Sequence, residues 1–226
     1  MHYHFIAEPL METAGSLLGV EIFTRFYSEN SRVLHPAFII AMWDIEQKRR
    51  FLLDQLHAID RKRTWFEEHS LFCSLNIDFD MALLACKEDE IKALLSAMPF
   101  VALELSESFP VNNDSTLIDT LSRGANALWL ADLGSGNANV SLLLSGYFQV
   151  AKIDRAFFTA QVEKPTFPPL VKNIRQYCGR VIVEGIEQTR HIETVKNAGV
   201  WGMQGALFPS VTLQEVERLL QPERFH

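Results

Sequence analysis

Eight apolar runs of strand length recur along the chain, with longer stretches of helical period between them, and this alternation restricts the fold more than any other feature. The runs fall at 3–7, 18–26, 71–77, 101–105, 127–132, 149–153, 180–183 and 199–203. Helical stretches are expected at 36–68 (as one or two helices), 80–96, 116–123, 139–147, 168–178, 188–198 and 213–220. Strands alternating with helices imply a mainly parallel sheet. Internal runs such as Val181-Ile182-Val183 are continuously apolar, as strands covered on both faces must be. The expectation is an α/β chain folded as a modified (β/α)8 barrel of the TIM type, in a single domain over 1–226. At 226 residues it is compact beside the roughly 250 typical of such barrels.

An apolar content of 48% with 22% charged residues supports one sizeable core. The net charge is −7, and the longest basic clusters are Lys48-Arg49-Arg50 and Arg61-Lys62-Arg63, which excludes direct DNA binding through a concentrated positive surface. Both clusters are expected to be solvated helix faces. Cys73, Cys86 and Cys178 lie far apart in apolar surroundings and read as reduced, buried thiols. No charged leader precedes an apolar stretch and no apolar window is long enough for a membrane span, so a cytoplasmic location and no membrane association are expected.

In a parallel barrel, polar residues at the C-terminal strand ends converge on one face, where chemistry is built. Here those ends carry Glu21, Asn76, Glu104 with Glu107, Asp132, Lys152 with Asp154, Glu184 with Glu187, and Gln204. Carboxylates with one carboxamide form a hard-oxygen set suited to Mg²⁺ or Mn²⁺.

These motifs resemble the EAL domains, which hydrolyse cyclic di-GMP. The namesake motif stands as Glu21-Ile22-Phe23-Thr24-Arg25, followed by Ser74-Leu75-Asn76, Glu104-Leu105-Ser106-Glu107, Lys152-Ile153-Asp154-Arg155, Glu184-Gly185-Ile186-Glu187 and Gln204-Gly205. Six motifs in family order identify the chain as a member. The resemblance implies that Glu21, Asn76, Glu104 and Asp132 are remnant metal-ligand positions. It makes Glu184 and Lys152 remnant catalytic positions, as general base and active-site lysine. Arg25 and Gln204 become remnant nucleotide-binding positions.

The departures weigh against activity. Where active members have an Asp-Asp pair after the fifth barrel strand, this chain has Ala131-Asp132, so one metal ligand is lost at Ala131. A cation held by several oxygens loses a full charge there, and activity should fall by orders of magnitude. Glu-Ala-Leu has become Glu21-Ile22-Phe23, and the segment after Arg25-Phe26 also departs from the family pattern. No catalysis, no cofactor and little cyclic di-GMP binding are expected, with Mg²⁺ or Mn²⁺ bound only if the remnant site survives. A weak metal-dependent phosphodiesterase and a non-hydrolysing cyclic di-GMP receptor are the competing readings.

Within the family, Gly19-Val20-Glu21 and Leu133-Gly134-Ser135-Gly136-Asn137 resemble the YdiV-like group of enteric bacteria. That resemblance implies a partner, the FlhD subunit of the flagellar master activator FlhDC, and repression of flagellar genes and motility. Some features have plainer readings. Gly134 and Gly136 suit a tight strand-to-helix turn. His35 is not expected to be a ligand, and His191 is expected to be solvated. Met42, Trp43, Phe51, Leu52 and Leu53 read as helix core facing the barrel.

Overall fold

The computed structural model describes residues 2–27, 33–34, 36–110, 116–136 and 140–220. Only four residues, 13–16, join the first two strands, whereas a parallel crossover needs a dozen or more. His2–Glu12 (β1) and Leu17–Tyr27 (β2) therefore pair antiparallel, from His2 opposite Tyr27 to Met11 opposite Leu17. A two-residue strand, Val33–Leu34 (β3), adds to β2 beside Phe26 and Tyr27. Phe72–Asn76 (β4), Val101–Ser106 (β5), Leu128–Leu133 (β6), Val150–Ile153 (β7), Arg180–Val183 (β8) and Gly202–Met203 (β9) then run parallel to β2 in the order β2-β4-β5-β6-β7-β8-β9. β1 pairs antiparallel with both β2 and β9, which closes an eight-stranded barrel. Val211–Thr212 (β10) pairs with β1 at Ile6 and Ala7.

All eight expected strands form, but the first is antiparallel and runs five residues beyond its expected end. Pro9 lies inside this longer strand. The proline is tolerated because it falls in a gap on one edge of β1, between Ala7 opposite Val211 and Met11 opposite Met203.

The expected 36–68 stretch divides into three helices: Pro36–Ala41 (α1), Ile45–Asp60 (α2) and Arg63–Glu68 (α3). The first break comes from Asp44, whose Oδ1 accepts from Gln47 N at 2.8 Å while Asp44 N donates to Gln47 Oε1 at 3.0 Å, a reciprocal capping box. Asp44→Ala is expected to lower stability by about 1 kcal/mol. Urea unfolding checks this, and an unchanged midpoint would show that packing alone sets the start of α2. The 80–96 stretch likewise divides at Glu88 into Phe79–Lys87 (α4) and Asp89–Ala97 (α5). Thr116–Ser122 (α6) and Val140–Leu144 (α7) follow as expected. Arg155–Gln161 (α8) was not expected from sequence; Asp154 starts it by accepting from Phe157 N at 2.9 Å. Phe167–Cys178 (α9) buries Phe167, Val171, Ile174 and Cys178 along one face and ends at Gly179, with φ of 74°. Arg190–Asn197 (α10) precedes β9, and the expected last helix is instead a kinked 3₁₀ segment, Leu213–Leu220.

Phe51, Leu52 and Leu53 are buried as expected, and Trp43 packs edge-on against Phe51 and Phe26 with centroids 5.1 and 5.5 Å apart. Met42 is not core: it is 86% exposed, just past an α1 that buries no residue. Lys48 is no solvated face residue either, because its ammonium is buried against Asp78 and Asp80 at 2.6 Å each, tying α2 to the start of α4. Arg49 reaches Glu88 and Glu90, and Lys62 reaches Glu217. His191 is also misread as solvated, since its ring stands edge-on to Phe158 with only 12% of the side chain exposed. Cys73 and Cys178 are buried free thiols, whereas Cys86 is partly exposed. His35 lies outside the described residues. No described helix is long and apolar enough to cross a membrane.

Candidate functional site

The parallel strands deliver their C-terminal ends to one barrel mouth, and there the expected residues meet in strand order. Lys152 on β7 is the hub. Its Nζ lies 2.5 Å from Glu21 Oε2 on β2, 2.9 and 3.2 Å from the two Glu104 oxygens on β5, and 3.1 Å from Glu184 Oε1 just past β8. Asn76 at the end of β4 donates its Nδ2 to Glu21 Oε1 at 2.6 Å, and Gln204, just past β9, donates its Nε2 to Glu21 Oε2 at 2.9 Å. Lys152, Glu104, Glu21 and Gln204 are all buried. Arg25 stands apart, exposed on β2 opposite His4, with no hydrogen bond or ion pair to this cluster among the described residues.

Burial disfavours the charged forms of Glu104, Glu184, Asp132 and Lys152, and the charges they share a site with act on each. Burial, reinforced by Glu21, raises the Glu104 carboxyl to about 8 against the pull of Lys152. Burial raises Glu184 to about 7, again opposed by Lys152. Asp132 is raised by burial, and a hydrogen bond from Ser106 and the charge of Lys152 work against that. Burial alone would lower Lys152, but Glu104, Glu21 and Glu184 together hold its ammonium well above the usual lysine range.

β6 departs from regular pairing between Leu130 and Leu133, and Asp132 takes a left-handed φ of 57°. Such a bulge re-aims the side chains at a strand end. It leaves the buried Ala131 methyl beside Ser106, and the next turn passes through Gly134 at φ 94°. A Cβ at Gly134 would meet the Phe157 ring at 2.4 Å, while Gly134 N donates to Glu107 Oε2 at 2.9 Å. The glycines thus serve a tight turn, as expected. Glu107 is taken up as the acceptor that fixes this turn, and Ser135 Oγ donates to its other oxygen at 2.8 Å.

The donor set does not fit a divalent cation. Both Glu21 oxygens already accept hydrogen bonds from Asn76, Gln204 and Lys152, and both Glu104 oxygens accept from Lys152. Ala131 offers a methyl in place of an oxygen. Among the described residues, no group of three or more His, Cys, Asp or Glu side chains is placed to hold a metal ion.

Above the cluster lies a cleft of about 430 Å³ lined by Glu8, Phe23, Arg155, Glu184, Gln204 and Phe208, among others. Glu8 lies one residue past the expected end of the first strand and so was not among the expected site residues. It faces Glu21 across the β1–β2 pair, and burial raises its carboxyl while a hydrogen bond from Gln204 lowers it. The signal in sequence was the alternation of β1, which carries Ile6, Glu8 and Leu10 on one face. Arg155 on the cleft wall forms an ion pair with Glu187.

A barrel with one reversed strand, and Glu, Asn, Glu, Asp, Lys, Glu and Gln at successive strand ends, defines an EAL-type domain. The EAL domain family model matches residues 2–210, and the chain belongs to that family. It is 28% identical over 221 residues to the putative anti-FlhC(2)FlhD(4) factor YdiV of Escherichia coli K12, covering 94% of this chain and 93% of that protein. It is also 28% identical over 204 residues to the cyclic di-GMP phosphodiesterase PdeH of the same organism, covering 88% and 79%. The crystal structure of the EAL-like domain protein YdiV superposes with a TM-score of 0.88 at 26% identity, covering 97% of each chain.

Proposed function

We propose that this chain is a non-catalytic EAL-like regulator that binds the flagellar master activator FlhDC through its FlhD subunit and represses flagellar gene expression and motility. The likeness to an anti-FlhC(2)FlhD(4) factor over 94% of the chain carries the partner. The site supports the loss of catalysis. An ammonium occupies the oxygens a metal would need, Ala131 supplies none, and the cleft carries carboxylates where a dianionic dinucleotide would have to sit. The protein acts sterically, holding the surface of a DNA-binding regulator without touching DNA, in keeping with its net charge of −7.

Mixed with FlhDC at micromolar concentration, the chain is expected to co-elute in gel filtration and to release FlhDC from promoter DNA. Separate elution of the two proteins would refute the partner. With Mg²⁺ or Mn²⁺ and cyclic di-GMP it is expected to form no linear dinucleotide, and calorimetry should show no metal binding. Turnover near 1 s⁻¹, within the ordinary enzyme range, would reinstate the phosphodiesterase reading.

A further inference from the structure

The cleft over the barrel mouth is mismatched to an anion and is missing a cation. Glu8, Glu184 and Glu187 face it, while Arg155 is already engaged with Glu187, and Lys152 lies behind Glu184, shared with Glu21 and Glu104. Gln204 also lines the cleft. It is 2% exposed, and although its amide nitrogen donates to Glu21, its carbonyl Oε1 receives no hydrogen bond among the described residues. A buried amide oxygen without a donor carries a desolvation cost that a bound donor would relieve. Phe23 and Phe208 supply aromatic wall, and Phe23 is partly open to solvent. Carboxylates, an orphan carbonyl and aromatic faces together match a guanidinium, whose planar fork donates to several acceptors at once and stacks on rings, better than a compact ammonium.

We propose that this cleft is a receptor for an arginine side chain presented by a protein partner, held by Glu8, Glu184 and the Gln204 carbonyl. The inference rests on the partner reading above and adds to it where contact is made. A regulator grips DNA phosphates through exposed arginines and lysines, and occupying one such arginine accounts for release from DNA without competition by an acidic surface for the duplex itself.

Two titrations test the proposal. N-acetyl-arginine amide should bind saturably at millimolar concentration, its neutral isostere N-acetyl-citrulline amide should not, and Glu8→Gln should weaken the arginine amide at least tenfold. An equal response to both amides, or a Glu8→Gln affinity within twofold of wild type, would overturn the site. With FlhDC as probe, the Glu8→Gln/Glu184→Gln double variant should bind at least tenfold more weakly, and an unchanged affinity would show that no partner arginine enters the cleft. If wild-type protein fails to bind FlhDC at all, the partner reading falls and the amide titration decides the cleft by itself. Both variants should unfold no earlier than wild type, because each removes a negative charge from a crowded group, so a loss of binding is not a loss of fold.

Discussion

Lys152→Met should lower stability by about 3–5 kcal/mol at pH 7.5, because removing one partner of a buried ion cluster leaves the others uncompensated. In this barrel the abandoned groups are Glu21, Glu104 and Glu184, which lie within 2.5 to 3.1 Å of the ammonium. The loss should depend on pH with a defined sign. Glu104 at about 8 and Glu184 at about 7 both lie above the ordinary carboxylate value. Between that value and their raised ones, the folded chain holds more protons than the unfolded chain. Their contribution is therefore complete at acidic pH and is lost as pH rises through about 7 to 8. Without Lys152 both carboxyls move further up, so the decline should steepen and extend to higher pH. Urea unfolding of wild type and variant at pH 5.5 and 8.5 measures this. The gap between them should be wider at pH 8.5, and adding Glu104→Gln should recover part of it. Equal midpoints at both pH values would mean that water or another cation already neutralises the cluster.

Gly205→Ala should be nearly as damaging, for a steric reason. Gly205 has φ of +149°, and a Cβ there would lie 2.4 Å from Ile186 N and 2.5 Å from Ile186 O. Both are backbone atoms, and Ile186 N also donates to Gln204 O at 2.9 Å, so neither side can retreat without breaking the contact between the ends of β8 and β9. A loss of about 2–4 kcal/mol is expected, combining left-handed strain with overpacking. The shift should also pull Gln204 from Glu21. Gly136→Ala is the control: φ there is +110°, but nothing among the described residues lies within 4 Å of the added Cβ, so the backbone strain of about 1–2 kcal/mol is what is expected. If the two variants unfold together, the β8–β9 contact is slack enough to admit the added methyl.

The barrel was legible in sequence because strand length and period are local properties. Val181-Ile182-Val183 reads as a doubly covered strand without any knowledge of its neighbours. The reversed first strand was legible in principle, since even the ten residues between the first two apolar runs are too few for a parallel crossover. The helix breaks at Asp44 and Glu88 were harder, because apolar spacing continues past them, and the breaks are made by the Asp44 capping box and by the extended backbone of Glu88. Lys48 and His191 were misread for one shared reason: a charged or polar residue on a helical stretch looks solvated until an element distant in sequence, Asp78 and Asp80 or Phe158, covers it.

The site divides along the same line. Sequence by itself determined which side chains stand at the strand ends and that the Ala131 side chain carries no oxygen, since those are matters of residue identity at positions the strand pattern locates. Only the tertiary structure decided what these groups do to one another. Glu21 and Lys152 are 131 residues apart, and the sequence has no term for the 2.5 Å between them. The same holds for Glu8, which becomes a site residue only when the barrel closes and sets it across from Glu21. Charges interact through distance and burial rather than through order along the chain. A set of motifs that resembles a metal site therefore folds into a carboxylate cluster already holding its own ammonium.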